Sequence, residues 1–188
     1  MILSDHDIKR AIKDRKIIVK PYLPKNIQPA SIDLRLDKKF KIFNIAEHHV
    51  VDVREPAEGL MTDVEITAKR PFILHPGEFA LGLIYEETGV ASDHVGRLEG
   101  KSSLGRLGLI VHTTAGYLDP GNSLKMTLEL FNAGRLPIKL YYMMPIAQMA
   151  FEQLSSPCEK PYGSEGLNSK YFGDKDVQAS KMHKNFSK

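Results

Sequence analysis

Apolar and polar positions alternate along most of this chain, and only its beginning departs from that rhythm. There Ile8, Ala11 and Ile12 recur at helical spacing. Ser4 stands where an N-cap belongs, Asp7 sits at the capping-box position, and Lys13, Arg15 and Lys16 close the segment with positive charge. These signals predict a helix over 4–15. Beyond it, short apolar or alternating runs are bounded by Gly, Pro and Asp. Strands are expected at 16–20, 31–36, 40–43, 71–74, 79–86, 95–99, 125–132, 138–142 and 146–154. No second long helix and no internal repeat are visible. Many short strands joined by turns point to a mainly β fold of barrel or jelly-roll-like type with an N-terminal helix. From Pro161 the chain turns rich in Gly, Ser and Lys. Residues 1–160 therefore read as a single β domain, and 161–188 as a mobile C-terminal arm that orders over a ligand.

The length of 188 residues suits one domain with a real core. Hydrophobic content of 42% and charged content of 26% place it among ordinary globular proteins. The formal charge is +3, and 170–188 alone carries five lysines against Asp174 and Asp176. The rest of the chain is balanced, so a broad nucleic-acid-binding surface is not expected. No apolar run reaches the roughly 18 residues of a membrane span. Met1 to Asp5 shows no basic stretch leading into an apolar one, and a cytoplasmic protein is expected. Cys158 stands alone, which rules out an internal disulfide and fits a reducing compartment.

The densest chemistry lies in Gly100-Lys101-Ser102-Ser103-Leu104-Gly105-Arg106-Leu107-Gly108, with two cations, two hydroxyls and three glycines. Close backbone approach, N–H groups, hydroxyls and a guanidinium together suit phosphate oxygens. It is not a Walker loop: Gly96 and Gly100 enclose three residues where that loop needs four. Downstream, Asp119-Pro120-Gly121 is a turn signal, and His112 reads as a core or hydrogen-bonded histidine. In 125–132, period two puts Met126, Leu128 and Leu130 on one face and Thr127, Glu129 and Phe131 on the other. A glutamate there is either solvated or, in a closed pocket, able to take and give a proton.

Taken together these stretches resemble the dCTP deaminase family, which shares its β-clip fold with trimeric dUTPases. The resemblance runs through Ile2-Leu3-Ser4-Asp5, Gln28 to Leu36, Leu74 to Gly82, Arg97 to Asn132, Gln148, Pro161-Tyr162-Gly163 and Ser169-Lys170-Tyr171. It implies that Glu129 is the general base activating water for attack at cytosine C4. Ser102 and Arg106 would position that water, and Asp119 would contact the sugar 3′-hydroxyl. The carbonyl around Ala115 would orient the same water. Lys101, Ser103, Leu104, Gly105, Thr127, Leu128, Gln148, Tyr162, Lys170 and Asp174 fall at substrate-binding positions. Magnesium is expected on the triphosphate rather than in a protein cage. No zinc is expected: zinc nucleobase deaminases use H-x-E and P-C-x-x-C ligands, whereas Pro157-Cys158 is followed by Glu159, Lys160 and Pro161. The resemblance also implies a homotrimer with active sites between subunits, binding dCTP and related dUTP or dTTP.

Two branches of the family differ in product. Thr114-Ala115-Gly116 is similar to the branch that continues to dUMP, where a glycine would leave room near the α-phosphate for a second water. The alternatives are a deaminase that releases dUTP, a plain dUTPase, and a silent nucleotide-binding regulator. The chain departs from the family at several places. Asn122 stands where an aromatic is common and Leu124 where a glycine is. Tyr142-Met143-Met144 replaces a Pro-Gly-Met turn, and Ala147 replaces a glycine. Asp174 occupies the place of a glutamine; because an acid repels phosphate, it is expected to point away.

Overall fold

The N-terminal helix forms because its ends are satisfied and one face is apolar. α1 (Asp5–Lys13) begins after Ser4, whose Oγ accepts the Asp7 N–H at 3.3 Å, and it buries Ile8 and Ala11. The structure is a computed structural model that describes residues 1–114 and 116–186. Fourteen strands follow among the described residues. The first seven are β1 (Ile17–Lys20), β2 (Ile27–Gln28), β3 (Ser31–Phe43), β4 (Met61–Glu65), β5 (Phe72–Leu74), β6 (Phe79–Ile84) and β7 (Glu87–Val90). The others are β8 (His94–Gly100), β9 (Leu109–Ile110), β10 (Tyr117–Leu118), β11 (Ser123–Leu124), β12 (Thr127–Asn132), β13 (Ile138–Leu140) and β14 (Pro145–Gln153). A single helical turn, α2 (Ser102–Gly105), lies between β8 and β9.

All pairings are antiparallel. The main sheet runs β10-β8-β14-β3-β6-β12-β9, with β2 and β4 also on β3; smaller sheets are β1-β7-β11 and β13-β5. Phe40 of β3 stacks on Phe72 of β5 with centroids 4.3 Å apart, at the centre of one apolar core. Each such side chain, fully buried, contributes roughly 1.5–3 kcal/mol.

Two expected strands, 31–36 and 40–43, are one. The polar Asp37-Lys38-Lys39 looks like a turn, but β3 continues through it with a register slip against β6 between Leu36 and Phe40. Its charges find partners instead: Asp37 pairs with Lys125 at 2.7 Å, and Lys39 pairs with Asp176. The expected run 79–86 ends sooner, at Ile84. Glu86 turns inward, fully buried, and accepts the Arg35 Nε–H at 2.6 Å and the Arg35 backbone N–H at 2.8 Å. β4 was not expected because it carries little apolar signal; it lies at the sheet margin on β3.

Beyond Pro161 the chain runs back across the body. The Tyr162 N–H donates to the Pro120 carbonyl at 2.8 Å and the Lys125 N–H to the Asp174 carbonyl at 2.8 Å. Val177 packs against Leu81 and Leu83. No helix among the described residues is long and apolar enough to cross a membrane.

Asp93 joins the start of β1 to the start of β8. Its carboxylate accepts from Lys16 Nζ at 2.8 Å and His94 Nδ1 at 2.9 Å, which holds its pKa down at about 2. A depressed folded pKa means stability present above the unfolded value near 3.9 and lost as pH falls toward 2. Asp93→Asn is expected to cost on the order of 1–2 kcal/mol at pH 7, after allowance for the exposed Lys16, with the difference gone below pH 2 in urea titrations. Met143 holds a left-handed backbone at φ 67°. Met143→Gly is expected to stabilise the protein by about 1 kcal/mol in the same titration.

Candidate active site

β12 hydrogen-bonds to β6 on one side and, at its end, to β9 on the other. That placement drives Leu128 and Leu130 fully into the core and turns Thr127 and Glu129 to the opposite face. There they line a cavity of about 460 Å³. Its polar wall also includes His112, Tyr117, Asp119, Asn122 and Lys125, and the C-terminal segment closes it with Tyr162, Tyr171, Asp174 and Gln178. The far wall is apolar, made by Phe43, Val51, Ala57, Met61, Phe79 and Leu81.

Glu129 is held from the preceding loop. Its Oε2 accepts the Thr114 N–H at 3.1 Å and the Thr114 hydroxyl at 3.2 Å, while the Thr113 hydroxyl donates to the Glu129 carbonyl at 3.1 Å. Two donors converge on that one oxygen and fix the orientation of the carboxyl group. Oε1 bonds no described residue and remains for a ligand. Asp119 is different: burial raises its carboxyl pKa above the ordinary value, and no described side chain pairs with it. Among the described residues no three His, Cys, Asp or Glu side chains gather into a metal cage. A divalent cation in this cavity would therefore lean on oxygens brought by its ligand.

Lys101 to Arg106 do not line this cavity. Ser102, Ser103, Gly105 and Arg106 lie exposed on and beside α2, and Leu104 packs against the core. Arg106 forms no ion pair with a described residue. Lys101 Nζ binds Asp33 Oδ1 at 2.7 Å, and Gln148 accepts from the Ser31 hydroxyl at 3.2 Å. Lys101 and Gln148 thus sit at neighbouring positions, with Gln148 opposite Asp33 in the β14–β3 register.

The chain matches the family described as dCTP deaminase-like over residues 2–154. It belongs to that family. It is similar to "dCTP deaminase, dUMP-forming" of Corynebacterium kroppenstedtii, at 50% identity over 99% of this chain and 100% of that one. The protein of the same description from Thermobifida fusca is 48% identical over 100% of this chain and 96% of that one. Among solved structures, the 2′-deoxycytidine 5′-triphosphate deaminase of Agrobacterium tumefaciens shares the fold with a TM-score of 0.63 at 21% identity. That likeness covers 81% of this chain and 47% of the solved one, so the chain spans about half the length of that structure.

Against the family pattern, the cavity gathers Glu129, Asp119, Thr127, Tyr162 and Asp174, and leaves the 101–106 turn, Gln148 and Lys170 outside it. Leu128 is fully buried, so only its backbone is available to a ligand. Ala115 lies outside the described residues. Asp174 lies at the cavity, and its carboxylate is paired with Lys181 at 2.9 Å, which offsets its charge. His112 is enclosed as expected, but neither ring nitrogen bonds a described residue. Gly116 has a reason other than room near a phosphate. A Cβ there would come within 2.7 Å of the Leu98 carbonyl, beside the Leu98 N–H to Gly116 carbonyl bond at 2.7 Å.

Sequence reasoning missed Lys125, Tyr117, Tyr171, Gln178 and the apolar wall. Lys125 carried a signal in being a cation beside the alternating run of β12. The apolar wall carried none, because its residues come from four distant stretches.

Asp119 supplies a test of site electrostatics. A raised folded pKa penalises the folded state above that pKa and has no effect below the unfolded value near 3.9. Asp119→Asn should therefore melt about 1–2 °C higher than the parent at pH 7, lose the advantage at pH 3, and lose activity. A lower melting temperature at pH 7 would remove the burial argument.

Proposed function

We propose that the protein hydrolytically deaminates dCTP and carries the product on to dUMP and pyrophosphate. The observation that carries this reading is Glu129, a carboxylate with one oxygen anchored by Thr114, presented to a nucleotide-sized cavity in a chain half identical, end to end, to a protein described as a dUMP-forming dCTP deaminase.

The free Oε1 of Glu129 takes a proton from water, and the oxygen bonds to cytosine C4. The same proton passes to ring N3, which leaves a tetrahedral carbon bearing hydroxyl and amino groups. Glu129 then moves the hydroxyl proton to the amino group. The C4–N bond breaks, ammonia leaves and a carbonyl remains. Acid–base help of this kind contributes on the order of 10²–10⁴ in rate. Thr113 and Thr114 keep the carboxylate in place through both transfers.

In the second step water attacks the α-phosphorus and pyrophosphate leaves. Asp119, on the same cavity wall, is the carboxyl that contacts the sugar and serves that water. A magnesium ion brought in with the triphosphate would offset the charge on its oxygens. Tyr162 and Lys170, on the C-terminal segment, are the side chains that meet the phosphates.

Ser102 and Arg106 act in a homotrimer. Both are exposed and outside the cavity of their own subunit, so the 101–106 turn completes a neighbour's site. Arg106 brings an unpaired guanidinium, and Ser102 a hydroxyl, to the attacking water.

Glu129→Gln keeps shape and loses the proton acceptor. It should cut ammonia release from dCTP at least a thousandfold while nucleotide affinity stays within about threefold. Chromatography of the parent reaction should resolve dUMP and pyrophosphate rather than dUTP. Near-normal deamination by the variant would take Glu129 out of its role, and accumulating dUTP would overturn the second step.

A further inference from the structure

The turn that carries Asp119 also carries Asn122, whose N–H donates to the Asp119 carbonyl at 3.1 Å. Gly121 between them has φ 82°, which lets the chain reverse tightly. Both residues line the cavity.

Asn122 is only 4% exposed. Its Oδ1 accepts the Gly173 N–H at 3.2 Å. An amide oxygen accepts and an amide nitrogen only donates, so this bond fixes which way the side chain faces. The Nδ2 donors bond no described residue. They are therefore left for a group entering the cavity that Asn122 lines.

Asp119 thus offers an acceptor and Asn122 a donor from one turn. The group that satisfies both at once is a hydroxyl, which gives its proton to the carboxylate and takes a hydrogen bond from the amide. A 2′-deoxynucleoside triphosphate has one hydroxyl, at the 3′ position. We propose that Asn122 is a specificity-determining residue that reads the 3′-hydroxyl of the nucleotide jointly with Asp119. The same amide ties that recognition to the C-terminal arm, because its oxygen holds Gly173. The inference rests on the deaminase reading for its substrate class.

The test compares kcat/KM for ammonia release from dCTP and from 2′,3′-dideoxy-CTP in the full-length protein with magnesium. Asn122→Asp keeps an oxygen for Gly173 and removes the donor. Asn122→Ala removes the donor without adding a charge and is the deciding variant. The preference for dCTP should fall about fivefold in Asn122→Asp, and at least as far in Asn122→Ala. Parallel losses on both nucleotides, with the ratio unchanged, would show that Asn122 only holds the arm and would overturn the proposal. Should Asn122→Asp not fold, Asn122→Ala gives the same ratio. A parent protein that releases no ammonia sinks the deaminase reading instead. Calorimetric affinities for the two nucleotides in the same variants then still decide Asn122.

Discussion

The site depends on how β12 is wedged into its sheet. Hydrogen bonds to β6 and β9 fix its register, and Leu128 and Leu130 fix its face. A slip of one residue would bury Glu129 and expose the leucines, at a cost of several kcal/mol in lost burial plus a desolvated carboxylate. The position of the carboxylate is thus inherited from the core. The loop bearing Thr113 and Thr114 only trims its orientation.

Charge follows a second constraint. The cavity presents Asp119, Glu129 and Asp174, yet the proposed ligand is a polyanion. The chain handles this by pairing and burial. Lys181 sits on Asp174, Lys125 is held near the cavity by Asp37, and burial raises the Asp119 carboxyl pKa above its ordinary value. Glu129 is held by hydrogen-bond donors with no cation paired to it among the described residues. The two acids on one wall differ in surroundings: Thr114 donates twice to Glu129, whereas no described side chain pairs with Asp119.

Much of the fold was legible because period-two alternation is a local property. β12, β14 and the helix cap could be read from a few neighbours each. The failures occurred where distant partners override local signals. Asp37-Lys38-Lys39 reads as a turn until Lys125 and Asp176 arrive from far along the chain to pair with it. Glu86 reads as the end of an exposed strand until Arg35 meets it in the interior. The site was legible in kind through the order of its motifs, but its geometry was not. Nothing in Asp174 itself announces Lys181, and no spacing announces that the 101–106 turn stands outside the cavity holding Glu129.

That separation has a consequence for how the two halves tolerate change. Residues lining the cavity are cross-linked by backbone: the Gln178 N–H donates to the Thr127 hydroxyl at 3.2 Å, and the Lys125 N–H to the Asp174 carbonyl. Moving any of them disturbs β12 and the C-terminal segment together. The 102–106 turn has no such ties beyond Leu104 and its own short helix, so its side chains are free to fit a surface that is not their own. A rigid carboxylate on one element and loosely held donors on another divide the work sensibly. In the proposed reaction, the group that takes and returns a proton is fixed by the core, and the groups proposed to stabilise charge sit on the less tied turn.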